Sequence, residues 1–308
     1  MPDAAGPERA REASEPARDD DWTIARVLAW AADDFRRRGL DSPRLDAELL
    51  LSHVLGVDRM RLLIDAGRTL TKGELLAYRE LIVRRRRAEP VAYILGVREF
   101  YGHALRVSSS VLVPRPDTET LVEVALERTR SAHLFGEALD LCTGSGCVAI
   151  AFARRRPTWR VTGVDLSRAA VAVARANVER IGAAFGVAIV EGDLDAPLAA
   201  PARFDLLTAN PPYIPTGDLS TLPADVRDHE PRLALDGGAD GLDLVRRVVS
   251  VARRRLRPGG VVALEIGHDQ AERAAALLDA EGFGAVERRK DYGGIERVVS
   301  GIAPHESA

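Results

Sequence analysis

The sequence predicts an α/β protein in which a doubly wound, mostly parallel sheet of seven strands follows a small helical domain. Three observations predict it. From about Glu137 onward, short apolar runs alternate with helical patterns, as in parallel sheets covered by helices. Before Ala88 the apolar residues recur at helical spacing throughout. Between the two regions, across residues 90–113, the pattern changes to short apolar and aromatic runs separated by glycines.

The elements follow in chain order. Residues 1–21 are rich in Ala, Pro, Glu, Asp and Arg and lack an apolar core, which predicts a disordered tail and no secretory signal. Residues 22–89 form the helical domain. Ile24, Val27, Leu28 and Ala31 mark one helix, and Leu45, Leu49, Leu50 and Val54 mark the next. Asp41-Ser42-Pro43 supplies a cap and an early proline for the second. Thr71 and Glu74 are spaced as a capping box for a third helix, which runs into Arg84-Arg85-Arg86-Arg87. That arginine run reads either as a partner-binding edge or as a solvated helix end favoured by the macrodipole. In residues 90–113, Tyr93-Ile94-Leu95-Gly96 and Glu99-Phe100-Tyr101-Gly102 read as two short strands, a β-hairpin linker. Pro114-Arg115-Pro116-Asp117-Thr118-Glu119 then breaks the sheet and starts a helix. The remaining domain covers residues 114–302, with strands at 137–141, 160–164, 187–190, 204–208 and 261–266 and an antiparallel closing pair near 284–290 and 296–300. Residues 303–308 are a closing tail.

Composition excludes some function classes. With 308 residues, 46% hydrophobic and 29% charged, the chain reads as a soluble globular protein. Its net charge of −3 gives no global footprint for nucleic acid. No apolar run approaches the roughly 20 residues of a membrane span. Cys142 and Cys147, the two cysteines, have neither zinc-ligand nor redox-pair spacing. His53, His103 and His229 have no partners at metal-ligand spacing, so no metal is expected. The reading is cytoplasmic, with no membrane partner and no direct nucleic-acid binding.

Two constellations carry chemistry. The first strand of the sheet leads into Cys142-Thr143-Gly144-Ser145-Gly146, a glycine turn that opens a helix and lets a ligand approach the backbone. The first glycine of a dinucleotide fingerprint is absent, since Cys142 stands there. Asp165 ends the next strand and can accept from both ribose hydroxyls. Asp193 and Leu194 follow the third strand, where they could meet an adenine amino group and ring. Any one of these carboxylates could instead cap a helix. Together they fit a nucleoside without a pyrophosphate, and S-adenosylmethionine matches that description.

Asn210-Pro211-Pro212-Tyr213 follows the apolar run Phe204-Asp205-Leu206-Leu207-Thr208-Ala209. Two prolines end the strand at a fixed angle, and the residue before them is restricted as well. An amide acceptor is thus presented rigidly at a strand's carboxyl end, where open α/β sheets place ligands. Such a corner can accept both hydrogens of a planar –NH2 group at Asn210 and Pro211, with Pro212 and Tyr213 lining its face. Taken alone, it could also be a rigid turn with an aromatic plug. Residues 214–240, with Pro215, Pro223 and Pro231, are long for a connection and read as a lid. Glu265 and His268 could be taken for an acid/base pair; a structural carboxylate and an exposed histidine are the preferred reading.

These pieces resemble the HemK/PrmC family. The resemblance runs through Leu45-Asp46-Ala47-Glu48-Leu49-Leu50, Tyr93 to Gly96, Glu99 to Gly102, Val113-Pro114-Arg115-Pro116, Asp140 to Gly146, Asn210 to Ile214, Glu230-Pro231, Asp236-Gly237-Gly238, Asp240-Gly241-Leu242 and Leu264-Glu265-Ile266-Gly267. It implies a Rossmann-like class I methyltransferase domain that moves a methyl group from S-adenosyl-L-methionine to the N5 amide of a glutamine in the glycine-rich loop of peptide chain release factors. S-adenosyl-L-homocysteine would be the by-product, and translation termination the process modulated. Asn210, Pro211 and Tyr213 are then the catalytic residues. Cys142, Thr143, Gly144, Ser145, Gly146, Asp165, Asp193, Leu194 and Asn210 hold the cofactor, and Asn210, Pro211, Pro212 and Tyr213 hold the substrate. The alternatives are a ribosomal-protein glutamine methyltransferase and a nucleic-acid amino methyltransferase, which can use the same corner. Asp117 and Leu194 depart from the family pattern, where Glu and an aromatic residue are usual.

Overall fold

A computed structural model describes residues 22–199 and 203–305, so the tail expected over 1–21 and the last three residues of the expected closing tail lie outside the described residues. The chain divides into two compact units, residues 1–87 and 88–308.

The first unit contains α1 (Ile24–Arg37), α2 (Pro43–Leu55), α3 (Arg59–Ile64) and α4 (Lys72–Arg85). Thr23 caps α1 by accepting from the Arg26 N–H, and Asp58 caps α3 by accepting from the Arg61 N–H at 2.8 Å. Thr71 and Glu74 form the capping box, on the fourth helix rather than the third because α3 intervenes. Ser42 makes no side-chain cap, but Pro43 occupies the first turn of α2.

The buried face of α2 is rotated from the one its leucines suggest. Leu45 is exposed, whereas Asp46, Ala47, Leu50 and Leu51 are buried. Asp46 turns inward because Arg85, equally buried, donates to its Oδ2 at 2.8 Å. Arg86 pairs with Asp34. Arg85 and Arg86 therefore fasten helices within this unit, so for these two members of the run neither an edge nor a solvated end describes them. A buried ion pair makes no pattern of apolar spacing, so helical periodicity could not find it.

The second unit begins with α5 (Val91–Leu95), β1 (Val97–Phe100) and β2 (His103–Arg106). Tyr93 to Leu95 are helical, not a strand. The Pro90 carbonyl accepts from the N–H groups of Tyr93 and Ile94, and Gly96 ends the turn at φ 69°. The hairpin is consequently confined to Val97–Arg106.

Then follow α6 (Glu119–Arg128), β3 (Glu137–Leu141), α7 (Cys147–Arg155), β4 (Arg160–Asp165), α8 (Arg168–Ile181), β5 (Val187–Glu191), β6 (Phe204–Ala209), α9 (Ala224–Arg227), α10 (Asp243–Arg255), β7 (Leu256–Glu265), α11 (Ala271–Ala280), β8 (Gly284–Lys290) and β9 (Glu296–Ile302). The seven-stranded sheet has the order β5-β4-β3-β6-β7-β9-β8. Its first five strands are parallel, and β9 pairs antiparallel with both β7 and β8. This is the Rossmann-like class I methyltransferase architecture. Strand β7 starts five residues before the expected run, through Arg257-Pro258-Gly259-Gly260.

Alternation along the strands sorts the core into two layers. Ala138, Leu206, Val261, Ala263 and Val298 face α6, α7 and α8. Their neighbours Leu139, Leu207, Val262, Leu264 and Val299 face α10 and α11. Both faces are covered, which is why the strands read as nearly continuous apolar runs.

Candidate functional site

Strand order reverses between β3 and β6, and ligands of such sheets bind outside the carboxyl ends at that point. Leu141 is in register with both Val164 and Ala209, so Cys142, Asp165 and Asn210 leave the sheet side by side. A cavity of about 540 Å³ opens there. Its walls include Cys142, Thr143, Gly144, Ser145, Asp165, Asp193, Asn210 and Pro212. Gly146, Leu194, Pro211 and Tyr213, also expected at the site, are not among its walls.

The glycine turn is held by carboxylates. Asp140, buried at the end of β3, accepts from the Thr143 hydroxyl at 2.6 Å and the Thr208 hydroxyl at 2.7 Å. Burial pushes its pKa up to about 6, against those hydrogen bonds. Cys142 takes a left-handed φ of 56° to make the turn. The Gly144 N–H donates to Asp165 Oδ2 at 2.8 Å and the Ser167 N–H to Oδ1 at 2.9 Å. A carboxylate thus sits where a dinucleotide site would draw a phosphate. Gly146 does not face the cavity. It caps α7 at φ 80°, a left-handed backbone that favours glycine.

Asp193 reaches the cavity, but both its oxygens accept from Arg247 of α10, at 2.7 and 2.8 Å. Leu194 is corrected: its side chain is buried in the layer beneath α10, away from the cavity, and its backbone is left-handed at φ 52°. The turn that presents Asp193 rotates the next side chain into the core.

At the proline corner, Asn210 Nδ2 donates to Thr118 Oγ1 at 3.2 Å, which leaves Oδ1 as the free end of the amide. Pro212 lines the cavity, and Pro211 is buried behind it. Tyr213 turns its hydroxyl toward Glu265 Oε1, 3.4 Å away, so its ring does not reach the cavity wall. The corner is gripped from below. Gln270 Nε2 donates to the Tyr213 carbonyl at 2.8 Å, and Ile214 bridges to the segment around Asp236. Gly237 packs so close that a Cβ would lie 2.8 Å from Tyr213 Cα and 2.9 Å from the Pro212 carbonyl.

Four contributors were not singled out from the sequence as site residues, and a fifth, Glu265, was weighed as half of an acid/base pair and read as a structural carboxylate. Asp140, Thr118 and Arg247 line the cavity. Arg115, also a wall residue, donates to buried Glu230, whose pKa burial raises against that pairing. Glu265 is buried behind the corner, with its pKa pushed up to about 7 by desolvation, while Thr118 and Arg297 oppose the rise. Asp140 and Glu265 stand at strand ends and within segments that carry the family resemblance, but neither signal gives them a role at the site. The wall residues Thr216, Pro231, Leu233, Ala234, Asp236, Gly237 and Gly238 all belong to the 214–240 segment.

Charge at the cavity bears on its ligand. Asp140, Asp165, Asp193, Asp236 and Asp243 face it, against Arg115 and Arg247. That excess of carboxylates suits a cation, and the volume suits a small molecule of nucleoside size. A nucleoside bearing a sulfonium and an amino acid fits these walls; a pyrophosphate does not. Among the described residues no group of three or more His, Cys, Asp or Glu is placed to hold a metal, and no helix is long and apolar enough to cross a membrane.

Comparison with known proteins adds the family. Residues 26–96 match the PrmC N-terminal domain, and residues 117–222 match the Methyltransferase small domain. A release factor glutamine methyltransferase of Geobacter sulfurreducens is 45% identical over 280 residues, covering 91% of this chain and 96% of its own. One from Bordetella pertussis is 45% identical over 261 residues, covering 84% and 94%. Among solved structures, the hMettl16 catalytic domain in complex with a MAT2A 3'UTR hairpin aligns with a TM-score of 0.55 at 14% identity, over 79% of this chain and 87% of that one, a likeness of fold. On the strength of its curated relatives, the chain belongs to the family of release factor glutamine methyltransferases.

Proposed function

We propose that the protein methylates the side-chain amide nitrogen (N5) of a glutamine in a peptide chain release factor, with S-adenosylmethionine as donor, and so modulates translation termination in the cytoplasm. The observation that carries this reading is the Asn210 amide, fastened by Thr118 at its Nδ2 end, in the same carboxylate-lined cavity as Asp165. S-adenosylmethionine supplies an electrophilic methyl group on a sulfonium.

The chain's residues do the rest. Asp165, itself fixed by two backbone N–H groups, would accept from the ribose hydroxyls, and the turn from Cys142 to Ser145 would help to hold the nucleoside. Asn210 Oδ1 and the Pro211 carbonyl accept the two N–H bonds of the glutamine amide. Its nitrogen is a poor nucleophile, because the lone pair is delocalised into the carbonyl. Two fixed acceptors orient it and stabilise the positive charge that develops as the new C–N bond forms. The nitrogen loses its extra proton after transfer, so no base must touch it beforehand. Pro212 walls the pocket, and Tyr213 holds the corner from behind through Glu265. Residues 22–89 are proposed to recognise the release factor, and residues 214–240 to close over the bound loop.

The test is incubation of the full chain with labelled S-adenosylmethionine and a purified release factor, followed by mass mapping. A methyl group on a loop glutamine is expected; label confined to nucleic acid would overturn the reading.

A further inference from the structure

A polar side chain on the buried face of a helix costs stability unless its hydrogen-bonding groups are used. Helix α8 buries Ala170, Val171, Ala174 and Val178 along one stripe, and Asn177 stands in the same stripe at 0% exposure. Its amide is fully engaged. Oδ1 accepts from the Arg106 N–H at 2.7 Å, while Nδ2 donates to the Arg106 carbonyl at 3.0 Å and to the Ser145 carbonyl at 2.9 Å. All three partners are backbone groups of fixed polarity. An N–H only donates and a carbonyl only accepts, so the amide has a single orientation.

We propose that Asn177 is a positioning residue for the cofactor, which sets the spacing between two walls of the cavity by fastening both to one amide. The proposal rests on the reading of that cavity as an S-adenosylmethionine site given under Proposed function.

The two walls reach Asn177 by separate routes. Ser145 is itself a wall residue, the last of the glycine turn before Gly146. Arg106 ends β2, and four residues later the chain becomes a second wall at Ser110, Val111, Leu112, Pro114 and Arg115. Strand β2 belongs to a sheet of two strands, with β1 as its neighbour on one edge. A hairpin of two strands is marginally stable by itself. On the other edge Asn177 takes both backbone groups of Arg106, as the next strand of a sheet would.

The stretch between Arg106 and the second wall has little slack. The Val107 N–H donates to the Gly96 carbonyl at 3.2 Å, and the Tyr93 hydroxyl donates to the Val111 carbonyl. Tyr93, Val107, Val111 and Val113 pack with Ala170 of the same helix α8. A displacement at Arg106 is thus carried into the wall. A ligand that touches both walls needs their spacing as much as their chemistry, so the effect belongs to cofactor affinity. The reacting corner at Asn210 makes no hydrogen bond with Asn177, and turnover at saturating cofactor should be spared.

The test is calorimetric titration of wild type, Asn177→Ala and Val178→Ala with S-adenosylhomocysteine. Val178→Ala removes buried apolar volume from the same helix and none of these hydrogen bonds. Asn177→Ala should weaken binding about tenfold, the upper range of one neutral hydrogen bond, with kcat on a release factor near wild type at saturating S-adenosylmethionine. Val178→Ala should lower the melting temperature and keep its affinity. In parallel, S-adenosylhomocysteine is titrated into the wild type and followed by NMR, a measurement that requires no variant to fold. The Asn177 side-chain NH2 and the Arg106 N–H should shift in step with Gly144 and Ser145, although neither Asn177 nor Arg106 is a wall residue. Wild-type affinity in Asn177→Ala, equal losses in the two variants, a loss in kcat in place of affinity, or Asn177 and Arg106 signals that stay fixed while the turn moves would each overturn the proposal. A wild type that binds S-adenosylhomocysteine but methylates no release factor overturns the functional reading instead, and the affinities still decide the role of Asn177.

Discussion

The glycine turn at residues 142–146 and the proline corner at residues 210–213 are neighbours in space but are held in opposite ways. The turn is stabilised mostly from nearby in sequence. Asp140 binds Thr143 three residues on, and Asp165 at the end of the adjacent strand accepts from the Gly144 N–H. The corner is stabilised from far away. Thr118 is 92 residues before Asn210, and Glu265 is 52 after Tyr213. Gln270 and Gly237 close in from two further segments. A surface that binds a small cofactor can be built from one strand–turn–helix unit, whereas a corner that must present one atom of one amide is fixed from several directions.

The comparison predicts unequal responses to mutation, the largest at the corner. Asn210→Ala removes one preorganised polar contact to the reacting group, a loss that costs roughly 10²–10³-fold in turnover in comparable sites. Steady-state methylation of a release factor measures it, and turnover should fall by more than cofactor affinity does. Near-normal turnover would show that the corner is a rigid turn and nothing more.

Next comes the turn. Asp165→Ala removes an acceptor for ribose and also the partner of the Gly144 and Ser167 N–H groups. Hydrogen bonds to a charged group contribute about 1.5–3 kcal/mol, equivalent to a loss of about tenfold to a hundredfold in affinity for S-adenosylmethionine. Calorimetric titration should find that loss with kcat at saturation largely retained. A variant that binds as tightly as wild type removes Asp165 from the site.

The same contrast explains what the sequence could disclose. The turn, Asp165 and the sheet were legible because glycines, strand-end carboxylates and apolar alternation sit within one or two elements. The corner was legible as a motif, but its supports were not. Thr118 looks like any polar residue at a helix start, and Glu265 like any strand-end acid, until the fold brings Thr118 against Asn210 and Glu265 against Tyr213. Leu194 misled for a related reason: its left-handed φ of 52° turns the side chain from the cavity into the core. Tyr93 was assigned to a strand because four apolar residues before a glycine suit a strand or a helical turn equally, and the Pro90 carbonyl decided for the helix. Arg85 and Asp46, a pair 39 residues apart and both buried, could be read only as surface charges.

A smaller effect separates the supports of the two regions by pH. In the folded chain Glu265 titrates near 7, above its ordinary 4.5, and Asp140 near 6, above 3.8. The folded state therefore binds protons more tightly than the unfolded one. Their contributions are most favourable at low pH and are lost as pH rises, Asp140 between about 4 and 6 and Glu265 between about 4.5 and 7. Glu265→Gln, which cannot ionise, should escape its share of that loss. The melting temperature of the variant relative to wild type should rise between pH 4.5 and pH 7 and then level off. A constant difference across that range would mean that Glu265 keeps an ordinary pKa, and that its burial is compensated at the corner.

The smallest effect is expected at Asp193, the other carboxylate of the cofactor side. Unlike Asp165, it is half exposed and shares both oxygens with Arg247. Exposed pairs contribute about 0–1 kcal/mol to stability, so Asp193→Asn should leave the melting temperature nearly unchanged. Any amino group of the ligand must compete with the Arg247 guanidinium for the same oxygens. The amide that replaces the carboxylate still offers one acceptor. Affinity for S-adenosylmethionine should consequently fall only about two- to tenfold, the range of a single neutral hydrogen bond. High salt, which screens Asp193 from Arg247, should weaken the competition and bring the wild type's advantage out more clearly. Calorimetric titration of wild type and variant at low and high ionic strength checks both statements. If Asp193→Asn loses as much affinity as Asp165→Ala, then Arg247 gives way on binding, and the cofactor is gripped from two strands rather than from the glycine turn and Asp165 alone.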